Sequence, residues 1–207
     1  MAVGPVLFER VVQALSGGSP TLAAQELAHA VPCAAKEAGA WVAHLHACAA
    51  AWPGSPADEA VLREVAEAFA PIGKPEHFTD FTHCEECREH DDTLRARTRE
   101  TLRREDLGHA GWDPLNFCDG EGIGYLFPTL ARFALMPAAW HDHGWYGAQL
   151  LFHLTYAGAD NKFLRWCSPA QRRAVSLLLS HLLATRSGAM SDHGCDDDMV
   201  QAHELWA

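Results

Sequence analysis

Apolar positions recur along most of this chain at intervals of three and four, the spacing that aligns side chains on one face of an α-helix. Trp41, Leu45, Cys48 and Trp52 form one such stripe. Val, Ile and Thr never gather into the alternating runs of a half-buried strand, so the pattern predicts an all-α, compact multi-helix globular domain with little or no sheet. Gly and Pro punctuate it. Ser19-Pro20, Ser55-Pro56 and Ser168-Pro169 each set a capping hydroxyl before a proline whose missing N–H costs nothing at the first helical position. Ser55 to Asp58 and Ser168 to Gln171 read as capping boxes. Gly17-Gly18, Pro53-Gly54, Gly158 and Gly188 mark stops. Helices are predicted over 5–16, 20–31, 33–51, 56–69, 83–96, 99–107, 120–136 with a break at Pro128, 145–157 and 169–187. Val175 to Leu183 is apolar nearly all round, which predicts an enclosed central helix.

The organisation expected from these marks is an alanine-rich N-terminal helical segment, 1–70, packed on a helical domain, 71–188, with an acidic C-terminal tail, 189–207. Asp192, Asp196, Asp197 and Asp198 suit a solvated tail whose end Leu205 and Trp206 can tether. A chain of 207 residues buries roughly 70% of its unfolded surface and needs no disulfide to be stable. An apolar fraction of 48% beside 21% charged residues is that of a globular protein. The net charge of −11 argues against nucleic acid as a partner, because that binding rests on Lys and Arg neutralising phosphates. It also disfavours anionic membrane surfaces. No apolar stretch reaches the ~20 residues of a membrane span. Seven scattered cysteines, and an N-terminus without the pattern of a signal peptide, read as a cytoplasmic protein with reduced thiols. Nothing in the pattern fixes an oligomeric state.

The chemistry is concentrated in Thr82-His83-Cys84-Glu85-Glu86-Cys87-Arg88-Glu89-His90. With 13 His and 7 Cys in 207 residues, a window of eight holds about one of them on average, and this window holds four. Thr82 followed by Glu85 reads as a capping box that starts a helix at His83. His83 and Cys87 are then four apart, and Cys84, Cys87 and His90 three apart, so all share a face. A helix N-terminus favours the thiolate, which is the true metal ligand. Sulfur with imidazole selects zinc first, with copper or iron behind it. A rigid helix does not easily wrap four such groups around one ion. Either its first turn is distorted or a ligand comes from elsewhere, with Cys118 the leading distal candidate and His109 the second. Cys84-x-x-Cys87 is also a dithiol redox spacing, although it lacks the βαβ context of thioredoxin. The inert reading is that these cysteines are small apolar groups in a core.

Other signals are weaker. His141-Asp142-His143 can share a metal on extended chain, or form a polar connection pinned by Trp140 and Trp145. His44 and His46 do not face each other on a helix, while His153 and His181 read as helical histidines satisfied beside the core. Gly120-x-Gly122-x-Gly124 is a poor phosphate cradle beside Asp119 and Glu121, and close helix packing explains it better. Arg95, Arg97, Arg99, Arg103 and Arg104, interleaved with acids, read as a solvated ion-paired face. No serine sits in a nucleophile elbow, and no zinc-protease helix is present.

Taken with Asp91-Asp92-Thr93-Leu94, Gly111-Trp112-Asp113-Pro114, Glu121-Gly122, Tyr125, Phe127-Pro128 and Ser168-Pro169-Ala170-Gln171-Arg172, the segment His83 to His90 resembles an uncharacterised bacterial family, a domain of unknown function with a His-Cys-x-x-Cys-x-x-His segment followed by Trp-Asp-Pro. The likeness runs from about His77 to His181 and implies a bacterial setting without adding a mechanism. Three roles stay open at this point. The first is a metal-binding protein whose His83, Cys84, Cys87 and His90, with Cys118, hold zinc mainly for structure. The second is a metal- or thiol-dependent enzyme using the same site. The third is an adaptor or accessory subunit whose zinc braces a surface for another protein.

Overall fold

The computed structural model describes residues 54–109, 111–136 and 144–207. The helices expected over 5–16, 20–31 and 33–51 lie outside the described residues, as do His44, His46, His141 and His143. The chain divides into two units, Met1–Pro53 with Met136–Trp145, and Gly54–Leu135 with Tyr146–Ala207. The helices named below belong to the second.

That unit is all-α. In chain order it runs α1 Pro56–Phe69, α2 Glu85–Arg95, α3 Gly120–Leu135, α4 Tyr146–Thr155, α5 Lys162–Trp166, α6 Pro169–Thr185, α7 Ser187–Asp192 and α8 Asp196–Trp206, with short 3-10 turns at Arg104–Leu107, Pro114–Asn116 and Gly158–Asp160. Among the described residues extended pairing is limited to two isolated bridges, Thr79 with Cys118 and His109 with Trp112. No helix among them is long and apolar enough to cross a membrane.

Both expected capping boxes form. Ser55 Oγ accepts from the Asp58 amide at 3.1 Å while Asp58 accepts from the Ser55 amide at 2.8 Å, and Ser168 pairs with Gln171 in the same way. Such caps satisfy amides that no helical turn can reach. Helix α1 buries Val61, Val65 and Phe69 and packs on α6 and α3. It therefore groups with the later helices, although the proline-bearing stretch 71–75 lies between. Phe69, Phe127 and Phe163 meet at the centre with ring centroids 4.8, 6.0 and 5.2 Å apart, each burial being worth roughly 1.5–3 kcal/mol. Asp58 is buried in the same seam, accepting from His181 Nε2 at 2.7 Å and Arg186 at 3.0 Å.

Several expectations change. Helix α3 runs through Pro128 without a break; the turn bond that proline forfeits is outweighed by the packing of Phe127, Leu130 and Ala131, all fully buried. The stretch expected as a helix over 99–107 is turn and one 3-10 segment. Here Asp106 accepts from the Arg103 amide and from the Arg97 guanidinium, holding the chain in a tight loop. Helix α6 is one-sided rather than enclosed: Val175, Leu178, Leu179 and Leu182 are buried, but Leu177 and Leu183 are exposed. The acidic end is helical rather than a solvated tail. Its aspartates lie at the surface, while Met199, Ala202 and Trp206 are buried and the Trp206 indole donates to the Leu154 carbonyl at 2.9 Å. The spaced glycines serve packing. A Cβ at Gly120 or Gly124 would come within 2.5 or 2.4 Å of the Trp166 ring, so that column of α3 must be bare for the indole to lie on it.

Candidate metal centre

The site stands where the loop ahead of α2 meets its first turn, and one buried carboxylate holds the two together. Asp91, 1% exposed, accepts from the Phe78 amide at 2.6 Å, the Thr79 amide at 3.2 Å and His77 Nδ1 at 2.7 Å. Thr79 Oγ1 in turn donates to the Cys87 carbonyl at 2.8 Å. Loop and helix are thus stitched side by side through the chain's own groups. Arg95 lies 3.9 Å from the same carboxylate, and the His77 ring stacks on Phe81.

The helix starts two residues later than the sequence suggests. Thr82 does not cap it, because Asp80 takes both its hydroxyl, at 2.8 Å, and its amide, at 3.3 Å. The cap is Cys84, whose sulfur accepts from the Cys87 amide at 3.4 Å, and the first helical residue is Glu85. His83 therefore sits on the preceding turn rather than on the helix. This is the first-turn distortion that a chelating cluster needs, since it lets imidazole and thiols approach from different directions.

Cys84 and Cys87 sulfurs lie 3.3 Å apart, and Cys87 Sγ is 3.6 Å from His83 Nδ1. Among the described residues these three form the group able to hold a metal ion, their ligand atoms all within 4.8 Å of one another. With metal–sulfur bonds of about 2.3 Å and metal–nitrogen bonds of about 2.05 Å, a tetrahedral centre sets S···S at roughly 3.8 Å and S···N at roughly 3.5 Å. The observed S···N edge from Cys87 to His83 already matches. The two sulfurs would need to open by roughly half an ångström. His83 and Cys84 are exposed, while Cys87 is 5% exposed.

The two thiols are electrostatically unequal. The Cys84 thiol is held below its ordinary range, first by the Cys87 amide and then by the Cys87 thiol and His83, all of which favour charge on that sulfur. Burial pushes the Cys87 thiol up, and the facing Cys84 sulfur adds to this. Of the two sulfurs, the outer one ionises more readily.

His90 and Cys118 do not join the group. His90 is 2% exposed, lies against Trp112 and Phe117 at 4.7 and 4.8 Å between centroids, and leaves Nε2 without a hydrogen bond, 3.8 Å from Glu86 Oε1. The loop carrying Cys118 does fold back toward the cluster, since its backbone pairs with Thr79. Its thiol, however, turns inward to the Pro114 carbonyl at 3.5 Å, and complete burial raises its pKa far above the ordinary thiol value. His109 is exposed, with Nδ1 accepting from the Gly111 amide at 3.1 Å.

One polar cluster escaped the sequence reading. Arg104, expected on a solvated face, is 2% exposed and donates to the Gly108 carbonyl and Gln149 Oε1, both at 2.7 Å. Gln149 donates to Asp113, which also meets His153 Nε2 at 2.5 Å. Asp113 caps the 3-10 turn at Leu115 as well. The Trp-Asp-Pro segment is thereby explained: Trp112 covers His90, and Asp113 anchors the turn to α4. The hint available in sequence was proline after an aspartate.

The described part of the molecule is an all-α protein with a surface His-Cys-Cys group that can hold a metal. The chain matches no family model, no curated protein and no solved structure, so the resemblance noted from sequence rests on its motifs alone.

Proposed function

We propose that the protein binds zinc through His83 Nδ1, Cys84 Sγ and Cys87 Sγ, with the fourth coordination position open to solvent. The observation that carries this reading is the trio of ligand atoms within 4.8 Å, bearing an S···N edge of 3.6 Å that matches tetrahedral coordination. Two thiolates and an imidazole are a soft set that favours zinc over harder cations. A sealed structural centre has four protein ligands, whereas here two of the three are exposed and, among the described residues, neither His90 nor Cys118 nor any other side chain joins the group as a fourth. The frame is also built without metal, by Asp91 and Thr79, so the ion decorates a formed site. That favours an exchangeable or reactive ion over one that drives folding.

The test is metal analysis of protein purified without chelator, followed by reconstitution with zinc and with cobalt(II). About one ion per chain is expected, with cobalt giving the absorption of a tetrahedral, thiolate-ligated centre. Loss of binding in Cys84→Ser, Cys87→Ser and His83→Ala, with retention in His90→Ala and Cys118→Ala, assigns the ligands. Binding that survives Cys87→Ser overturns the assignment.

A further inference from the structure

We infer that Cys84 and Cys87 form a reversible disulfide that discharges the metal, making the site a redox-controlled zinc store or switch. This rests on the zinc reading and adds its regulation.

Three observations carry it. The sulfurs are 3.3 Å apart before any bond exists; a disulfide asks them to close by roughly 1.3 Å, with Cβ atoms about 3.8 Å apart, a span that neighbours three apart at a helix start can reach. The Cys84 thiol already donates toward Cys87 Sγ, so the attacking and attacked sulfurs are in contact with nothing between them. Accessibility then orders the steps, because Cys84 is exposed and Cys87 is buried. An external reagent meets Cys84 first.

The oxidant class is a small disulfide, RSSR. With zinc bound, the Cys84 thiolate attacks one sulfur of RSSR, forming a Cys84–SR bond and expelling RS⁻. The Cys87 thiolate then attacks Cys84 Sγ, forming the internal disulfide and expelling the second RS⁻. Two protein sulfurs lose two electrons, RSSR gains them, and two protons from solvent convert the leaving groups to thiols. Zinc is released as the divalent ion, since His83 alone is a poor chelate.

Two features confine the reaction. Cys87, Cys118, Cys167 and Cys195 are buried, so of the five described cysteines only Cys84 is exposed to an external reagent, and Cys87 is the one in contact with it. The loop and α2 stay joined through Asp91 and through Thr79 to the Cys87 carbonyl, none of which uses a sulfur. Oxidation should therefore empty the site while leaving the fold intact.

The experiment exposes the full-length zinc-loaded protein to oxidised glutathione. It follows zinc release with a chromogenic chelator and maps thiols by alkylation and peptide mass analysis. The expected result is one zinc released per Cys84–Cys87 disulfide, with unchanged helical circular dichroism and rebinding after dithiothreitol. In metal-free protein, Cys87→Ser should stop at a glutathione adduct on Cys84, and Cys84→Ser should leave Cys87 unmodified. Zinc content before oxidant judges the binding reading separately. Zinc bound at the start but no internal disulfide under excess oxidant overturns the switch alone. Disulfide formation with zinc retained overturns it too. A chain that never binds zinc fails the binding reading, even if the thiols still pair.

Discussion

Replacing Asp91 by Ala is the sharpest test of how the site is held. The change removes the acceptor of two buried backbone amides, Phe78 and Thr79, and of the His77 ring. Each orphaned buried amide costs roughly 1–3 kcal/mol, so the expected loss is about 3–5 kcal/mol once a little relaxation is allowed. For a chain of this size that is a fall in Tm of about 10 °C. Asp91→Asn keeps one carbonyl oxygen for the amides but turns an N–H₂ toward His77, and should lose about half as much. Freed from the carboxylate, the loop no longer fixes His83 against the first turn of α2, and zinc affinity should fall by about 10- to 100-fold, as it does when supporting hydrogen bonds are removed elsewhere. Urea unfolding of the three proteins, with zinc titration of each below its transition, measures both effects. An alanine variant within about 1 kcal/mol of the parent and with unchanged affinity would refute the reasoning, because the loop would then be held by something else.

Other consequences are as direct. Gly124→Ala drives a Cβ to 2.4 Å from Trp166 and should cost about 1–3 kcal/mol by overpacking, whereas Gly188→Ala meets open space in α7 and should gain up to about 1 kcal/mol; thermal melts of the two should move in opposite directions. Burial works to raise the Asp58 pKa, but hydrogen bonds from His181 and Ser55 and the Arg186 charge outweigh it and leave the value lowered. Its folded pKa lies below the unfolded one, so its contribution is complete above about pH 4 and is lost as pH falls through the lower folded value. Asp58→Asn should flatten the acid limb of a stability–pH profile, and an unchanged limb would contradict this. Thiol labelling near neutral pH should modify Cys84 ahead of Cys118, Cys167 and Cys195, since burial lifts these three, Cys167 to about 12; equal labelling rates in the native protein would count against the site's polarity.

Much of the helical frame could be read directly because its signals are local. Ser55 and Ser168 cap the helices they predict, and α1 begins and ends where the pattern puts it. The metal trio was visible through density and spacing, yet its geometry was not, because Thr82 is captured by Asp80 and the cap passes to a sulfur. His90 looked like a ligand and became a ring packed between Trp112 and Phe117; the aromatic partners lie more than twenty positions away, beyond any periodicity. Arg104 looked solvated among charged neighbours, and its burial is explained by the Gly108 carbonyl together with the distant Gln149 and Tyr146. At the acidic end the surface aspartates and the tether at Trp206 were legible, and the helix that carries them was not. Three consecutive aspartates in the first turn of α8 signal solvent, while Met199, Ala202 and Trp206 further along carry one face into the core.

The central claim is that one small ion is held by two sulfurs and one nitrogen. X-ray absorption on the zinc-loaded chain measures that shell directly. The account predicts about two sulfurs near 2.3 Å, one nitrogen near 2.05 Å and one further light atom from solvent. A shell of oxygen and nitrogen alone, or zinc at less than about a tenth of an ion per chain after reconstitution, would contradict it.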